Sequence, residues 1–542
     1  MSQIQTRFDA TGKPNSTTAD MSQQRMAVED ARLRSDDPSI LDPNPQKKRP
    51  PQQPDCFHDL NLDQWAATMM AGRDRFALDE FIWDGPQPAT TVTYRQNVMR
   101  DLERLDVRAA LKAFADRMIE LRKNFDLIAK LHYRHQATAW FLTTADLYRS
   151  MLNELAAALG TAQIDSEGLV RIRDFLSEYL ESASFRDFAA EVDRVGQAVH
   201  DIRFVFHVRD AGVTVLRFDN EEDYGAQVED VFRRFRTADV EAPVFAFADM
   251  VEMNHIEAQI LEGVRQLFPN VFASLEALQD RYQDLVHPAV ARLDRELQFY
   301  FGYLDYIAPL KSAGLSFCYP SLDETDRRIA VEATFDVVLA RKLVTGKSSV
   351  ITNDIALSDR ERILVVSGPN QGGKTTFART FGQIHYLAGL GLPVPGTKVK
   401  LFVFDRIYTH FEREENIHNR RGKLQDDLVR IHDILCQATG RSIIIMNEIF
   451  TSTALRDALF LATRILEKII AIGSLSVCVT FMDELSRLAP ETVSLVSTIV
   501  PGDPSARTFK ILRKPADGEA HAEAIAGKYR LTPEALQERL PS

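Results

Sequence analysis

Arg362-Ile363-Leu364-Val365-Val366-Ser367-Gly368-Pro369-Asn370-Gln371-Gly372-Gly373-Lys374-Thr375-Thr376-Phe377-Ala378-Arg379 is the stretch on which the reading of the whole chain turns. Ile363 to Ser367 is a short apolar, β-branched run, the pattern of a buried strand. It leads directly into Gly-x-x-x-x-Gly-Lys-Thr at Gly368 to Thr375, and a helical pattern starts at Thr376. Strand, glycine loop and helix N-terminus together give this motif its physical meaning. Gly372 and Gly373 allow the backbone to approach closely, so successive N–H groups converge on phosphate oxygens, and the helix dipole adds to that field. Lys374 is expected to reach the β- and γ-phosphates of ATP, and the Thr375 hydroxyl to ligate magnesium.

About seventy residues on, the apolar run Ser442-Ile443-Ile444-Ile445-Met446 ends in Asn447-Glu448. A buried strand that ends in acidic residues beside a phosphate loop supplies what magnesium and an attacking water require. Glu448 is the candidate for polarising that water, with Thr375, Asn447 and Glu448 as the metal set. Asn447 stands where an Asp is usual and brings no negative charge, which predicts weaker magnesium affinity or slow turnover. From about 326 to 542 such strands alternate with helical segments, the rhythm of a parallel sheet with crossover helices.

Toward the N-terminus the character changes. Residues 1–55 are rich in Ser, Gln, Asp and Pro, and read as a disordered tail in which Lys47-Lys48-Arg49 is a solvated charge cluster. Residues 56–325 read as a helical domain. Val107, Leu111, Phe114, Met118, Leu121, Phe125 and Ile128 form an apolar seam on one long helix, followed by helices over about 135–160 and 165–200. The alternation from Ile202 to Val208, a turn at Asp210-Ala211-Gly212 and a return from Val213 to Phe218 predict a β-hairpin at 202–218. Arg203, His207, Arg209 and Arg217 there read as the wet face of a hairpin or as a basic face for a phosphate backbone. Helical pattern resumes from about 222 to 310.

The net charge of −12, from 65 basic and 77 acidic residues, argues against indiscriminate coating of DNA. No apolar run nears the ~20 residues that span a bilayer. The four cysteines form no C-x-x-C pair, which fits a reducing cytoplasm and speaks against a zinc site.

The loop from Ser367 to Thr376, with its Pro369-Asn370 pair, resembles that of the DNA mismatch-repair MutS family. Thr352-Asn353-Asp354-Ile355 before it is similar to the same family, as are Gly391 to Pro395, Phe404 to Thr409 and the Thr451-Ser452-Thr453 triplet after it. Tyr303-Leu304-Asp305, Gly314, Phe317-Cys318 and Pro320 resemble the end of its lever helices, and Ala526-Gly527 and Thr532-Pro533-Glu534 its closing helices. The resemblance implies a mostly helical lever domain followed by an α/β ABC-type P-loop ATPase that works as a dimer. Each nucleotide would then be sandwiched between subunits. The signature segment that crosses to the partner would fall at Arg420-Arg421-Gly422-Lys423-Leu424, with Gly422 in place of Ser and Lys423 near the partner's γ-phosphate. Phe481 stands where the family has a His near the γ-phosphate. Phe-x-Glu, the family's mismatch wedge, occurs nowhere in the chain, and the helical stretch leaves no room for that domain.

These features predict a short MutS-like ATP-gated clamp in DNA repair or recombination, with branched DNA favoured over a mismatched base. The alternative is an ATP-gated protein-interaction module without DNA binding, which the acidic charge favours. A different P-loop enzyme, such as a kinase, lacks any visible second-substrate motif.

Overall fold

A computed structural model of the chain describes residues 37–45, 51–209, 212–219, 253–412, 422–500 and 503–516. Lys47 to Arg49, Asp210, Ala211, Arg420, Arg421 and everything from residue 517 onward lie outside them. The chain forms two compact units, one of residues 1–103, 165–170 and 295–542, the other of 104–164 and 171–294. Residues 56–103 and 295–325, expected with the helical part, therefore belong to the unit that holds the sheets.

In the helical unit, Leu105–Ile128 packs against Arg134–Thr161. The predicted seam is buried from Val107 through Leu121, whereas Phe125 and Ile128 are only partly covered. The third expected helix is two, Glu167–Glu181 and Ala183–His200, because Ser182 caps the second by accepting from the Phe185 N–H. Strands β1 (Phe204–Arg209) and β2 (Gly212–Arg217) form the hairpin. Their register sets Phe204 opposite Arg217 and His207 opposite Thr214. Arg217 thus shares a face with Phe204 and Phe206, while Arg203 and His207 lie on the other. Arg217 is also committed, donating to the Leu267 carbonyl and lying over the Phe268 ring. The expected basic face is divided, and the exposed surface is largely apolar, with Phe206 55% and Phe218 45% exposed.

The other unit holds twelve described strands, β3 (Phe317–Cys318), β4 (Ser321–Asp323), β5 (Ile329–Thr334), β6 (Asn353–Leu357), β7 (Ile363–Ser367) and β8 (Val394–Pro395) first. β9 (Lys398–Phe402), β10 (Ile407–Phe411), β11 (Ile443–Asn447), β12 (Leu475–Val479), β13 (Thr492–Val500) and β14 (Asp503–Arg513) follow. Six of them make a sheet in the order β10-β11-β12-β7-β13-β14, parallel except for the last pair. A second sheet has the order β4-β9-β5-β6. Every residue of β7, β11 and β12 is buried, as expected for central parallel strands covered on both faces. Ile363, Val365, Ile444, Met446 and Cys478 meet the helix Leu455–Ile472 on one face. The helix Lys374–Gly389 packs against β11 and β12. Leu60 crowds that helix at Gly382, where an added Cβ would come within 2.7 Å of its methyl groups.

Residues 37–41 differ from the disordered tail that composition predicts. Ile40 and Leu41 are buried, and all three carbonyls from Ser39 to Leu41 are bonded. Tyr94 Oη donates to Ser39 O at 2.6 Å, Tyr300 Oη to Ile40 O at 2.8 Å, and Arg95 Nε to Leu41 O at 2.8 Å. The buried Glu296 carboxylate accepts from Ser39 Oγ and the Ile40 N–H, both at 2.7 Å. The strap is ordered here because it supplies hydrogen-bond partners to buried charges and hydroxyls. Among the described residues no helix is long and apolar enough to cross a membrane.

Ser39→Ala removes one hydrogen bond to a buried carboxylate and should lower the unfolding free energy by about 1.5–3 kcal/mol. Urea denaturation checks this, and an unchanged midpoint would mean that the strap is not held through Ser39. A second prediction concerns His385 in the Lys374–Gly389 helix, fully buried between Phe381 and Phe404 with Nδ1 2.7 Å from Phe381 O. Burial pushes its pKa from 6.5 down to about 4. Between those values the unfolded chain takes up a proton that the folded chain refuses, so stability falls as pH drops from about 6.5 to about 4. The loss is about 3 kcal/mol in total. The difference in unfolding free energy between wild type and His385→Leu should therefore change with pH inside that window and be flat above it.

Candidate functional site

The site is built at the carboxyl edge of the six-stranded sheet. The register pairs Phe411 with Asn447, Asn447 with Val479, and Val479 with Val366. One residue further along, Glu412, Glu448, Thr480 and Ser367 therefore form a row across four parallel strands. Sheets of this kind present their ligands at that edge.

From Ser367 the loop turns through Gly368 (φ 111°), Gln371 (φ 59°) and Gly373 (φ 91°) into the Lys374–Gly389 helix. Neighbouring β13 dictates the glycines. A Cβ on Gly372 would lie 2.0 Å from Ser497 Oγ, and one on Gly368 would lie 2.9 Å from Ser497 O. Ser497 Oγ donates to Gly372 O at 2.8 Å and Arg507 Nε to Asn370 O at 3.2 Å, which pins the loop from the β13–β14 side. Lys374 folds back into the loop, its ammonium donating to Gly368 O at 2.7 Å and reaching Asn370 Oδ1 at 3.4 Å. Burial pulls its pKa below the usual lysine value, and the charges of Glu448 and Asp483 oppose that shift. Thr375 Oγ1 donates to Asn447 Oδ1 at 2.9 Å, so the start of the helix and the end of β11 converge.

Glu448 follows directly. Its N–H donates to Val479 O at 2.9 Å, extending the ladder by one residue while its own backbone enters the left-handed region (φ 54°). A non-glycine residue held there stores local strain, and Phe450 (φ 61°) repeats the feature two residues later. Gln371 to Thr376, Lys374 among them, line a cleft of about 730 Å³ with Asn370 and Glu448. Leu339, Ile351 and Phe509, each more than a third exposed, also line it, and Phe509 lies against Gly373. Thr375, Asn447 and Glu448 offer a hydroxyl, an amide oxygen and one carboxylate, hard oxygen donors of the type that magnesium takes.

The sequence-expected residues of the loop, Thr375, Asn447 and Glu448 are thus brought together. Pro369 stands within the loop itself, and its carbonyl lies 3.4 Å from Lys374 Nζ. Gly422 and Lys423 do not line this cleft: Gly422 caps the helix Lys423–Gln437, and the Lys423 ammonium bonds Glu412. Phe481, just beyond the row, is 54% exposed. Ser497, Arg507, Phe509 and Glu412 escaped sequence reasoning. Ser497, Arg507 and Phe509 lie far along the chain from the loop, Glu412 lies 11 residues before Lys423, and none sits in a local motif.

Residues 364–524 match the family of MutS domain V. The DNA mismatch repair protein MutS of Granulibacter bethesdensis is 28% identical over 251 residues, 46% of this chain and 26% of that protein. The DNA mismatch repair protein MutS of Halalkalibacterium halodurans is 26% identical over 272 residues, 50% of this chain and 30% of that protein. Endonuclease MutS2 of Gemmatimonas aurantiaca is 30% identical over 206 residues, 37% of this chain and 25% of that protein. The matched stretches thus span less than a third of the length of these relatives. Residues 364–524, which carry the glycine loop and both acidic strand ends just described, thus belong to the family of MutS domain V.

Proposed function

We propose that the chain binds ATP with magnesium in the cleft at Gly368–Thr376 and hydrolyses it, and that this cycle gates its hold on DNA as a dimer. The observation that carries the reading is the convergence of Lys374, Thr375, Asn447 and Glu448 on the mouth of one glycine loop. The loop N–H groups and the helix N-terminus at Lys374 bind phosphate oxygens. Lys374 exchanges the Gly368 carbonyl for a phosphate, a trade that gives the buried ammonium an anionic partner. Thr375, Asn447 and Glu448 would hold magnesium, which would supply charge neutralisation on the transferred phosphate. Glu448 orients the attacking water and takes its proton. Leu339, Ile351 and Phe509 give the cleft apolar surface suited to a flat base. Asn447 contributes no charge and Phe481 no hydrogen bond, so turnover is slow.

The relatives' names speak of DNA mismatch repair and of an endonuclease. Branched or mismatched DNA is the target that this membership favours, with Lys423 and Gly422 facing the nucleotide of a second copy. The divided basic face of the β1–β2 hairpin supports a second reading, in which the hairpin holds a protein partner through Phe204, Phe206 and Val213 on one face.

Lys374→Ala should weaken ATP binding by tenfold or more, the worth of about one charged hydrogen bond. Glu448→Gln should leave binding intact and lower phosphate release by about a hundredfold or more, while Asn447→Asp should tighten magnesium dependence. Unchanged ATP affinity in Lys374→Ala would overturn the site assignment. Sedimentation of Glu448→Gln with ATP should show a dimer that retains branched DNA, with affinity falling steeply as salt rises. A dimer indifferent to branched and duplex DNA at low salt would move the function to the protein-partner reading, and a monomer under saturating ATP would exclude the two-copy site.

A further inference from the structure

Glu412 stands next to Glu448 in the row at the sheet edge and does not line the cleft. One of its oxygens, Oε1, serves two donors. It accepts from Lys423 Nζ, the first residue of the Lys423–Gln437 helix, and from Thr451 Oγ1 at 3.0 Å. Thr451 lies three residues beyond Glu448, in the turn that includes the left-handed Phe450. A single carboxylate oxygen therefore joins the start of that helix to the loop that follows Glu448.

The same helix is fastened to β10 at two further points. His410 Nε2 lies 3.2 Å from Asp427 Oδ1, both side chains being largely buried, and Arg430 Nη1 reaches Phe411 O at 3.5 Å. Residues 423, 427 and 430 fall on one helix face, so β10 holds that face along two turns. The inner contact is buried and costly to break, whereas the Glu412 side chain is 39% exposed and that of Lys423 24%. The outer end of the brace is thus the end that can exchange partners while the helix stays docked.

We propose that Glu412 is a positioning residue that couples the Gly422–Lys423 helix start to the loop carrying Glu448, so that drawing Lys423 away releases Thr451 and resets that loop. The proposal rests on the reading of Glu448 above. An anion that takes Lys423 from Glu412 removes the cation that fixes the carboxylate, and with it the acceptor geometry at Thr451. The coupling runs in both directions, as any linkage must.

Amide hydrogen exchange of the full chain without nucleotide tests this without any appeal to activity. Glu412→Gln should speed exchange in both 423–430 and 449–454. Lys423→Ala should speed exchange in 449–454 as well as in its own segment, and Thr451→Val should affect 423–430. If Lys423→Ala and Thr451→Val each change only their own segment, or if Glu412→Gln changes neither, the coupling does not exist. Thr451→Val alters one exposed hydroxyl, so the test survives even if Glu412→Gln folds poorly. In steady-state phosphate release, Glu412→Gln should lower the maximal rate by about tenfold, the worth of one charged hydrogen bond, with nucleotide affinity unchanged. Loss of affinity instead would overturn the positioning role. Absence of phosphate release in the wild type would sink the hydrolysis reading, and the exchange data would still decide the role of Glu412.

Discussion

Ser497 presses its hydroxyl and its carbonyl against the loop between Gly368 and Gly372, and the rest of the site is arranged around that contact. A side chain at either glycine would collide with β13, so the loop can approach this strand only as bare backbone. With the curve fixed from outside, the Lys374 ammonium has the Gly368 carbonyl as a neighbour, and Thr375 meets the end of β11. Packing of one strand against its neighbour thus becomes the placement of a cation and a hydroxyl.

Parallel register does the remaining work. Strands that run the same way bring their ends to one edge, so Glu412, Glu448 and Thr480 form one row with Ser367 at the start of the loop although they are far apart in the chain. The two acids meet different surroundings. Glu412 is matched by Lys423, whose hydrogen bond is the main reason that its carboxyl lies below the usual range. Glu448 lines the cleft with Lys374, where its charge helps to keep that buried ammonium protonated.

Much of this could be read from the sequence because it is local. The strand, the loop and Lys374 lie within a dozen residues, and Ile443 to Glu448 carries its own pattern of apolar run and polar end. The seam of the helix Leu105–Ile128 was legible for the same reason, up to the last turn, where Phe125 and Ile128 lose full cover. What escaped depends on register and on distant partners. Alternation along one strand says nothing about which residue stands opposite, so it could not show that Arg217 falls beside Phe204. Ser497 is 125 residues from the glycine that it touches, and Ser39 is 257 residues from Glu296. Composition marks the strap as unstructured because it is polar and proline-rich, yet its backbone carbonyls and two apolar side chains are what the core lacks.

That strap also decides where the folding unit begins. A chain trimmed to start at Cys56, the point that composition suggests, would leave Glu296 without its Ser39 and Ile40 donors. It would also take from Tyr94 and Tyr300 the Ser39 and Ile40 carbonyls that they bond, and uncover the pocket that Ile40 fills. Each buried polar group stranded in this way costs about 1–3 kcal/mol, and a whole domain is stable by only about 5–15 kcal/mol. Arg95 would lose Leu41 O and keep Leu390 O, at the far end of the helix that starts with Lys374. The shortest piece of this protein that can stand alone around the glycine loop therefore includes a few residues more than three hundred positions before it.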